Sequence, residues 1–427
     1  MFKYKSYDAQ LKELYGYKRL GIRPSLPPVR NLLKAMGNPH LKMKTVHIAG
    51  TNGKGSTTAF NASILKEAGY KTGAFFSPHV LDYRERIQIN GKPVSKKEVV
   101  EALRLMGEIY TKAKKRNQRL PKTVTFFEWT TALAFFCFAR AGVDVAVMET
   151  GMGGRFDATN VVDPVVSIIT TISIDHATFL GNRLSDIAFE KSGIIKKGRP
   201  VVCGAVANSA AEVIRKTALK RRSKLFLYGK DFSVASNGNI DSKLIDPQKI
   251  EPAMAGSHQI HNAGLAVQAL LASGSFEITP AQFAKGIKKA KLPGRFQIEK
   301  KKDKTVIYDV AHNPAAIKTL VGMLKEKYPN RKFNIVFSAL RGKDILRMLK
   351  EIAPITKKMA CVTTDDFRAV DIESLCGYAK KAGINFKPIE QDHLAEFIRA
   401  SCKPSGAPLI VTGSFTTVEL VINSKPF

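Results

Sequence analysis

The sequence predicts an α/β protein of two domains, each built around a mainly parallel β-sheet. The chain has 427 residues, which exceeds the size at which a single hydrophobic core usually stops growing. Apolar, β-branched runs alternate with stretches of helical periodicity, as in repeated strand–helix–strand units. A turn with the sequence KLPGRF, residues 291–296, separates two such series. We therefore expect one domain over residues 1–295 and a smaller one over residues 296–427.

Apolar runs mark the predicted strands, and amphipathic or apolar stretches between them mark the predicted helices. In the first domain the predicted strands are residues 45–49, 71–76, 143–149, 165–170 and 200–206. The predicted helices of that domain are residues 57–70, 127–142 and 259–274. In the second domain the predicted strands are residues 304–310, 332–340, 358–364 and 408–413. Two further helices are predicted there, at residues 314–329 and 372–383.

The chain is strongly basic, with 68 lysine and arginine residues against 36 acidic ones and a formal net charge of +32. Such a balance is typical of proteins that bind nucleic acids or membrane surfaces. However, the basic clusters at residues 112–119, 220–224 and 300–304 are short, far apart and not interleaved with aromatic residues. We therefore favour solvated basic faces that attract small anionic substrates, and nucleic-acid binding stays as the alternative.

Composition also predicts the cellular setting. The first ten residues hold no apolar core of a signal peptide, and the most apolar stretch, residues 131–148, is interrupted by Arg140 and Asp144. These features predict a soluble, cytoplasmic protein. The cysteines have no paired spacing, so we expect reduced thiols rather than disulfides or a zinc site. They are Cys137, Cys203, Cys361, Cys376 and Cys402.

Residues 47–60, HIAGTNGKGSTTAF, combine a strand end, a glycine-rich turn, one lysine, hydroxyl residues and a helix. Glycines let successive backbone N–H groups face one concavity, and the following helix adds its positive N-terminus, so the turn is suited to a polyphosphate. Lys54 would meet the β- and γ-phosphates, and a Ser or Thr hydroxyl that follows it, among Ser56, Thr57 and Thr58, can bind Mg²⁺. The match to the usual motif is imperfect, because its first glycine falls on Ile48 and Gly55 is inserted after the lysine. A purely structural turn is the alternative.

Polar residues at the ends of other predicted strands extend this site. Glu149 ends the strand at residues 143–149, where a carboxylate could hold Mg²⁺, although a helix cap or an ion pair is the alternative. Asp175 and His176 follow the next strand. His258 and His261 have a spacing that could clasp a metal, but a structural role is favoured because no third ligand is nearby.

Ten ordered segments carry a resemblance to a known family. They are AGTNGKGSTT, SPHVLDYRERIQING, TFFEWTTALAF, ETGMGGRFDATNVVDP, SIDHATFLG, AFEKSGIIKKGRPVV, HQIHNA, LPGRF, YDVAHNPAA and VTGSF. The sequence resembles the folylpolyglutamate synthases and dihydrofolate synthases of the Mur ligase superfamily, which are ATP-dependent amide-forming enzymes. The resemblance implies an N-terminal ATPase domain of the P-loop type with a mainly parallel sheet, and a smaller Rossmann-like α/β C-terminal domain.

The resemblance also implies roles for individual residues. Contacts to ATP are implied for Gly50, Thr51, Asn52, Gly53, Lys54, Gly55, Ser56, Asn262, Arg295 and Asp309. Metal ligation is implied for Ser56, Ser77, Glu149 and His176. Catalytic roles are implied for Lys54, His176, His312 and Lys191, of which Lys191 matches a lysine that is carbamylated in the family. The pteroate pocket would use Thr125, Phe126, Phe127, Glu128, Phe156, Asp157 and Ala158.

By the same resemblance, ATP would phosphorylate a carboxylate of dihydropteroate or folate, and L-glutamate would then displace the phosphate. The implied cofactors besides ATP are two Mg²⁺ ions, the carbamylated Lys191 and a monovalent cation. We expect a monomer without a nucleic-acid or membrane partner. Three positions depart from the family pattern, namely Thr150, Phe156 and Ser192. A Mur-type ligase for another acid, a simple P-loop NTPase or kinase, and a basic nucleic-acid-binding protein remain the alternatives.

Overall fold

The structure is a computed structural model, and it describes residues 1–3, 6–21, 24–116, 120, 123–301, 304–402 and 406–425. The chain divides into two compact units. The first comprises Met1–Ile174, Leu180–Ala253 and Ser257–Lys291. The second comprises Asp175–Phe179, Met254–Gly256 and Leu292–Phe427. The sequence-based boundary between residues 295 and 296 stays a prediction about where the domains separate.

An eight-stranded sheet forms the centre of the first unit. Its strands are β1 (Lys44–Ala49), β2 (Thr72–Phe75), β3 (Ile87–Ile89), β4 (Lys92–Pro93), β5 (Val145–Glu149), β6 (Val166–Ile169), β7 (Val201–Cys203) and β8 (Leu225–Leu227). They lie in the order β4-β3-β2-β5-β1-β6-β7-β8. Six neighbouring strands are parallel, namely β2, β5, β1, β6, β7 and β8. Strands β3 and β4 extend the sheet beyond β2 as an antiparallel edge. The loops that follow β1, β2, β5 and β6 therefore meet at one edge of the sheet.

The described part of residues 1–291 holds ten α-helices together with a small antiparallel sheet. The helices are α1 (Tyr7–Gly16), α2 (Pro27–Ala35), α3 (Lys54–Glu67), α4 (Lys96–Lys115), α5 (Phe126–Arg140), α6 (Ala177–Leu180), α7 (Leu184–Ser192), α8 (Asn208–Lys220), α9 (Ser257–Ser273) and α10 (Pro280–Lys289). The small sheet consists of β9 (Phe232–Val234), β10 (Asn239–Ser242) and β11 (Ile245–Lys249).

Helix α5 accounts for the apolar character of residues 131–140. The helix is apolar nearly all round, as expected of a helix enclosed by a core. Trp129, Phe135 and Phe138 are each fully buried in the main hydrophobic cluster of the first unit. Within the described residues, no helix is both long and apolar enough to traverse a bilayer.

A six-stranded sheet forms the second unit. Its strands are β12 (Gln297–Lys301), β13 (Lys304–Tyr308), β14 (Phe333–Phe337), β15 (Thr356–Cys361), β16 (Phe386–Pro388) and β17 (Leu409–Thr412), in the order β12-β13-β17-β14-β15-β16. All are parallel except β12, which pairs antiparallel with β13. The helices are α11 (Pro314–Lys327), α12 (Ile345–Ile352), α13 (Ile372–Lys381), α14 (Gln391–Ser401) and α15 (Phe415–Asn423).

The predicted fold class is confirmed, since both units are α/β with mainly parallel sheets. Every predicted strand is present, with ends that differ by a few residues. The start of α3 was predicted wrongly, because the helix begins at Lys54 rather than at residue 57. The sheet of β9 to β11 was not predicted, since its strands are short and lie in a polar stretch. The five cysteines form no disulfide in the structure, and all but Cys376 are buried.

The packing of α10 on α3 generates a stability prediction. A methyl group added at Gly286 would lie 2.5 Å from Cα of Ile64, which is backbone and cannot rotate away. Gly286→Ala should therefore destabilise the first unit by about 1–3 kcal/mol. In the control Gly16→Ala, at the end of α1, the added methyl meets nothing within 4 Å, so this variant should gain roughly 0.4–1 kcal/mol.

Urea unfolding followed by the fluorescence of Trp129, the single tryptophan of the chain, measures both changes. Equal stability of Gly286→Ala and wild type would contradict the close packing of these helices.

Candidate active site

The turn after β1 can be built only from glycine at two positions. Gly50 and Gly53 have φ values of +157° and +86°, and the left-handed region costs other residues about 1–2 kcal/mol. A Cβ atom at Gly53 would lie 2.5 Å from Oδ1 of Asn262, and one at Gly50 would collide with the hydroxyl of Thr170. Two elements, α9 and the segment after β6, thus approach the turn too closely for any side chain.

Hydrogen bonds fix this turn to the segment that follows β6. The Thr51 amide donates to the Thr171 carbonyl at 2.8 Å, and the Thr51 hydroxyl donates to the Ser173 carbonyl at 3.1 Å. The Asn52 amide donates to the Thr171 hydroxyl at 3.1 Å, while the Thr170 hydroxyl donates to the Asn52 carbonyl at 2.6 Å. The turn is therefore held in one shape without any ligand.

Two lysine side chains converge on the carbonyl oxygen of Gly50. Nζ of Lys54 donates to this oxygen at 3.1 Å and to the Thr51 carbonyl at 3.2 Å. Nζ of Lys191, from α7, donates to the Gly50 oxygen at 2.7 Å. Lys191 is only 4% exposed. The charge of Lys54 beside the N-terminus of α3 makes this turn a strong site for a polyphosphate.

Gly55 and Ser56 lie in the first turn of α3 rather than in the loop, because that helix begins at Lys54. We expected the N–H groups around Gly50, Gly53 and Gly55 to face one concavity, and this stays a prediction. Of the three, Gly50 and Gly53 have positive φ values, whereas Gly55 is helical. The side chain of Ser56 is buried at the start of the helix. Its position at a helix N-terminus suits a hydroxyl ligand of phosphate-bound Mg²⁺.

Two of the predicted metal ligands lie side by side at the sheet edge. Glu149 is the last residue of β5 and is 4% exposed, and its Oε2 accepts a hydrogen bond from the amide of Ser77 at 3.2 Å. Ser77 follows the neighbouring strand β2. The described residues hold no group of three or more His, Cys, Asp or Glu side chains arranged for a metal. A single carboxylate with hydroxyl groups fits Mg²⁺, which usually keeps water and phosphate oxygens as its other ligands.

The remaining predicted metal ligand, His176, belongs to a cluster in the second unit around Asp175. Lys343 Nζ donates to Asp175 Oδ1 at 2.6 Å, and Asn313 Nδ2 donates to Asp175 Oδ2 at 3.2 Å. Lys343 Nζ also lies 3.4 Å from His176 Nε2, and His312 Nε2 lies 3.7 Å from Asp175 Oδ2. Burial acts to raise the pKa of Asp175, but the charges of Lys343, His176 and His312 and the hydrogen bond from Lys343 together outweigh burial and hold that pKa well below its usual range.

Sequence reasoning missed Lys343 and Asn313. Asn313 follows His312 in the segment YDVAHNP and caps α11, since its Oδ1 accepts from the Ala316 amide at 2.9 Å. Lys343 stands in the stretch RGKD between β14 and α12. The available signal was its place after a strand of a parallel sheet, where functional side chains collect.

The predicted nucleotide contacts of the second unit flank its first two strands: Arg295 precedes β12 and Asp309 follows β13. The Asp309 carboxylate accepts hydrogen bonds from the amides of Phe296 and Ala311, both at 2.9 Å. Burial raises the pKa of Asp309, although the charge of Arg295 opposes this. The guanidinium of Arg295 lies 5.4 Å from the ring centre of Phe415. Asn262, in the first unit, donates to Gln259 Oε1 at 3.2 Å.

One hydrogen bond fixes the protonation of Nδ1 in His312. Its Nδ1 lies 2.9 Å from the Val310 carbonyl, which can only accept, so Nδ1 carries a proton. Its ring packs against Phe415 with centroids 5.8 Å apart.

The first predicted pteroate segment forms the start of α5. The Thr125 hydroxyl accepts from the Glu128 amide at 3.3 Å, and the Glu128 carboxylate accepts from the Thr125 amide at 2.7 Å. This is a capping box, and the spacing TFFE is its sequence signature. The ring of Phe127 would be 2.5 Å from a Cβ atom at Gly151, so it touches the glycine turn after β5. Phe126 is buried in the main core cluster.

The second predicted pteroate segment follows that turn. Asp157 is buried and accepts from the amides of Gly151 and Met152, each at 2.9 Å. Burial raises its pKa, whereas these hydrogen bonds act to lower it. Phe156 is 38% exposed and lies under the guanidinium of Arg155 at 4.4 Å. Ala158 is buried at the start of a short 3₁₀-helix. Thr125, Glu128 and Asp157 thus have structural partners, and their substrate roles stay predictions.

The sequence matches two protein families over most of its length. Residues 48–270 match the Mur ligase middle domain, and residues 294–415 match the Mur ligase glutamate ligase domain. A dihydrofolate synthase/folylpolyglutamate synthase from Bacillus subtilis is 33% identical over 422 residues, which cover 96% of each chain.

Solved structures are similar as well. The structure of Escherichia coli FolC in complex with DHPP and ADP has a TM-score of 0.88 and 28% identity, and the match covers 98% of this chain and 97% of that one. A bifunctional folylpolyglutamate synthase/dihydrofolate synthase from Yersinia pestis, complexed with AMPPNP and a Mn ion, has a TM-score of 0.86 and 26% identity over 99% and 98% of the two chains.

The geometry of Gly53 generates a binding prediction. Gly53→Ala forces a left-handed residue to carry a Cβ atom against Asn262, so the turn must change shape. We expect a nonhydrolysable ATP analogue to bind roughly tenfold or more weakly, as measured by calorimetry.

Gly91→Ala is the matched control, because Gly91 has a φ of +74° but its added Cβ meets nothing within 4 Å. It should lose a similar amount of stability and retain full nucleotide affinity. Unchanged affinity in Gly53→Ala would mean that nucleotide binds elsewhere.

Proposed function

This chain belongs to the dihydrofolate synthase/folylpolyglutamate synthase family of Mur ligases, and from that premise we propose which of its residues perform each step. It is an ATP-dependent ligase that adds L-glutamate to dihydropteroate, to the γ-carboxylate of a folate, or to both. It uses ATP and a divalent metal ion, and its substrates are small molecules. The single observation that carries our assignment is the convergence of Lys54 and Lys191 on the Gly50 carbonyl, beside a helix N-terminus.

Two transfers make the amide, and the atoms balance without a further reactant. An oxygen of the acceptor carboxylate attacks the γ-phosphorus of ATP, the bond to the β-phosphate oxygen breaks, and ADP leaves. The acyl phosphate that forms is then attacked at its carbonyl carbon by the amino group of glutamate. The C–O bond to phosphate breaks, phosphate leaves with one carboxylate oxygen, and the amine loses a proton.

The residues of the phosphate turn act mainly by position and charge. The amides after Gly50 and the N-terminus of α3 hold the polyphosphate, and Lys54 neutralises charge on the γ-phosphoryl group as it moves. Ser56, Ser77 and Glu149 would hold Mg²⁺, which when bound supplies further positive charge to the phosphate oxygens. His176 is a further proposed metal ligand and catalytic residue, and His312 is a further proposed catalytic residue. The nucleotide contacts that we propose are Asn262, Arg295 and Asp309.

Lys191 is the proposed site of carbamylation. The chemistry requires a neutral amine to add to CO₂, which replaces a cation with an anion that can help to bind a second Mg²⁺. Lys191 is nearly buried, and its Nζ can keep one N–H on the Gly50 carbonyl after the reaction. This fits a carbamate, because its nitrogen retains one hydrogen. A monovalent cation near the phosphate oxygens is a further proposed cofactor.

The acceptor site is proposed at Thr125 to Glu128 and at Phe156 to Ala158. The aromatic rings of Phe126 and Phe127 at the start of α5 suit a planar heterocycle. We further propose that the protein is a cytoplasmic monomer that binds neither nucleic acids nor membranes. The net charge of +32 would attract ATP, glutamate and polyglutamyl substrates, which are all anionic.

A first prediction tests Lys54. Lys54→Ala should lower kcat by roughly 100- to 1,000-fold, since it removes a charge that stabilises the transferring phosphoryl group. Phosphate release is measured with ATP and glutamate, and with dihydropteroate or tetrahydrofolate as the acceptor. Lys66→Ala, an exposed lysine on the same helix, should have wild-type activity. Full activity of Lys54→Ala would remove the phosphate turn from the mechanism.

A second prediction tests carbamylation with ¹³C-labelled CO₂. The wild type should give one carbamate carbon resonance that is absent from Lys191→Ala, and acetate should partly restore the activity of that variant. Lys196 is the comparison, because burial and the nearby charge of Arg30 lower the pKa of its amine to about 8, which favours the neutral amine that reacts with CO₂. A resonance that survives in Lys191→Ala but disappears in Lys196→Ala would overturn the assignment.

A further inference from the structure

A buried arginine beside the proposed active site has no ion-pair partner. Arg86 is 6% exposed and lies at the end of a 3₁₀-helix, Tyr83–Arg86. Among the described residues, no carboxylate forms a salt bridge with its guanidinium, although the charges of Glu149 and Glu85 still favour its charged form. The carboxylate of Glu85 instead accepts from the amides of residues 80–82, and that of Glu149 accepts from the Ser77 amide. A buried charge without a paired carboxylate is costly, so such a residue usually has a functional reason.

The guanidinium of Arg86 makes one short directed contact. Its Nε donates a hydrogen bond to Nδ1 of His79 at 2.6 Å. Because a guanidinium nitrogen can only donate, Nδ1 of His79 must accept and carries no proton. The imidazole is then neutral and has its hydrogen on Nε2. Arg86 therefore fixes His79 in a single tautomer that presents an N–H donor.

This pair lies between two groups of residues already assigned to the reaction. His79 is two residues after Ser77, whose amide contacts Glu149. The Arg86 carbonyl accepts from the Phe76 amide at 3.0 Å, which ties the 3₁₀-helix to the end of β2. The Arg86 guanidinium lies 5.4 Å from the ring centre of Phe126, in the proposed acceptor site. All of these residues belong to the first unit.

We propose that His79 donates a hydrogen bond from Nε2 to the reacting carboxylate of the acceptor, and that Arg86 is the positioning residue that fixes the donor. This inference rests on the function proposed above. A neutral donor orients a carboxylate while leaving more of its negative charge for attack on phosphorus than a cation in direct contact would. The buried positive charge of Arg86, which lies behind the His79 ring, also attracts an anionic acceptor.

Two substitutions of His79 separate its two nitrogens. In His79→Asn the amide oxygen replaces the acceptor Nδ1, so the bond from Arg86 persists and the outer donor is lost. In His79→Gln the amide nitrogen can replace the Nε2 donor. We expect His79→Asn to lower kcat/KM for the acceptor by about 10- to 100-fold, the effect of losing one hydrogen bond to a charged group. His79→Gln should recover most of this loss, and KM for ATP should stay within about twofold of wild type in both.

Arg86→Lys tests the positioning role, because it keeps the charge but removes the Nε donor. It should lower kcat/KM for the acceptor, while Arg84→Lys should not. Arg84 is the matched control, since it lies on the same 3₁₀-helix and its guanidinium pairs with the Asp82 carboxylate at 2.9 Å. If Arg86 only packs against Phe126, Arg86→Lys should instead lower stability and leave kcat/KM for the acceptor unchanged.

Nitrogen NMR of the histidine-labelled full chain tests the tautomer without any activity, with His79 assigned by its absence from His79→Asn. At neutral pH the wild-type signal should show an unprotonated Nδ1 and a protonated Nε2, and Arg86→Lys should show a mixture. A protonated Nδ1 in the wild type would overturn the inference. So would wild-type acceptor kinetics in His79→Asn. If the wild type itself ligates no glutamate to any pteroate or folate, the proposed function fails instead.

Discussion

The carbonyl oxygen of Gly50 is the point on which the arrangement of the first unit depends. It accepts hydrogen bonds from both Lys54 and Lys191, at 3.1 and 2.7 Å. One carbonyl thus anchors the side-chain nitrogens of two lysines from different helices at the same turn. The N-terminus of α3 and the charge of Lys54 prepare this turn for an anion, and Lys191 can keep its hydrogen bond to the carbonyl as a carbamate. Because Thr170 presses against Gly50, no other residue could place its carbonyl there.

The parallel sheet gathers the other functional groups by topology rather than by sequence proximity. Strands β2, β5, β1 and β6 are neighbours, so the residues that follow them share an edge. This is why the Ser77 amide reaches Glu149 although 72 positions separate the two residues. The second unit repeats the principle on a smaller scale, since His312, Asn313 and Lys343 follow strands of its own parallel sheet and converge on Asp175.

Much of this could be predicted from sequence, for physical reasons that differ between elements. The strands and the glycine turn have strong local signals, namely apolar β-branched runs and a lysine among glycines, so their placement was correct to within a few residues. The start of α3 was missed because the glycines around Lys54 disfavour a helix locally, and the tertiary contacts of the turn override that preference. Contacts such as Lys343 with Asp175 or Arg86 with His79 depend on how distant segments pack. No periodicity in the sequence encodes them.

The central claim is that the phosphate turn presents ATP to a carboxylate, which becomes phosphorylated before glutamate attacks it. The most direct measurement traces the carboxylate oxygens of the acceptor into the released phosphate. Both oxygens of the reacting carboxylate are labelled with ¹⁸O, and the phosphate is analysed by mass spectrometry. The account predicts one labelled oxygen in the phosphate for every amide formed. Phosphate that contains no label, with amide still produced, would contradict it.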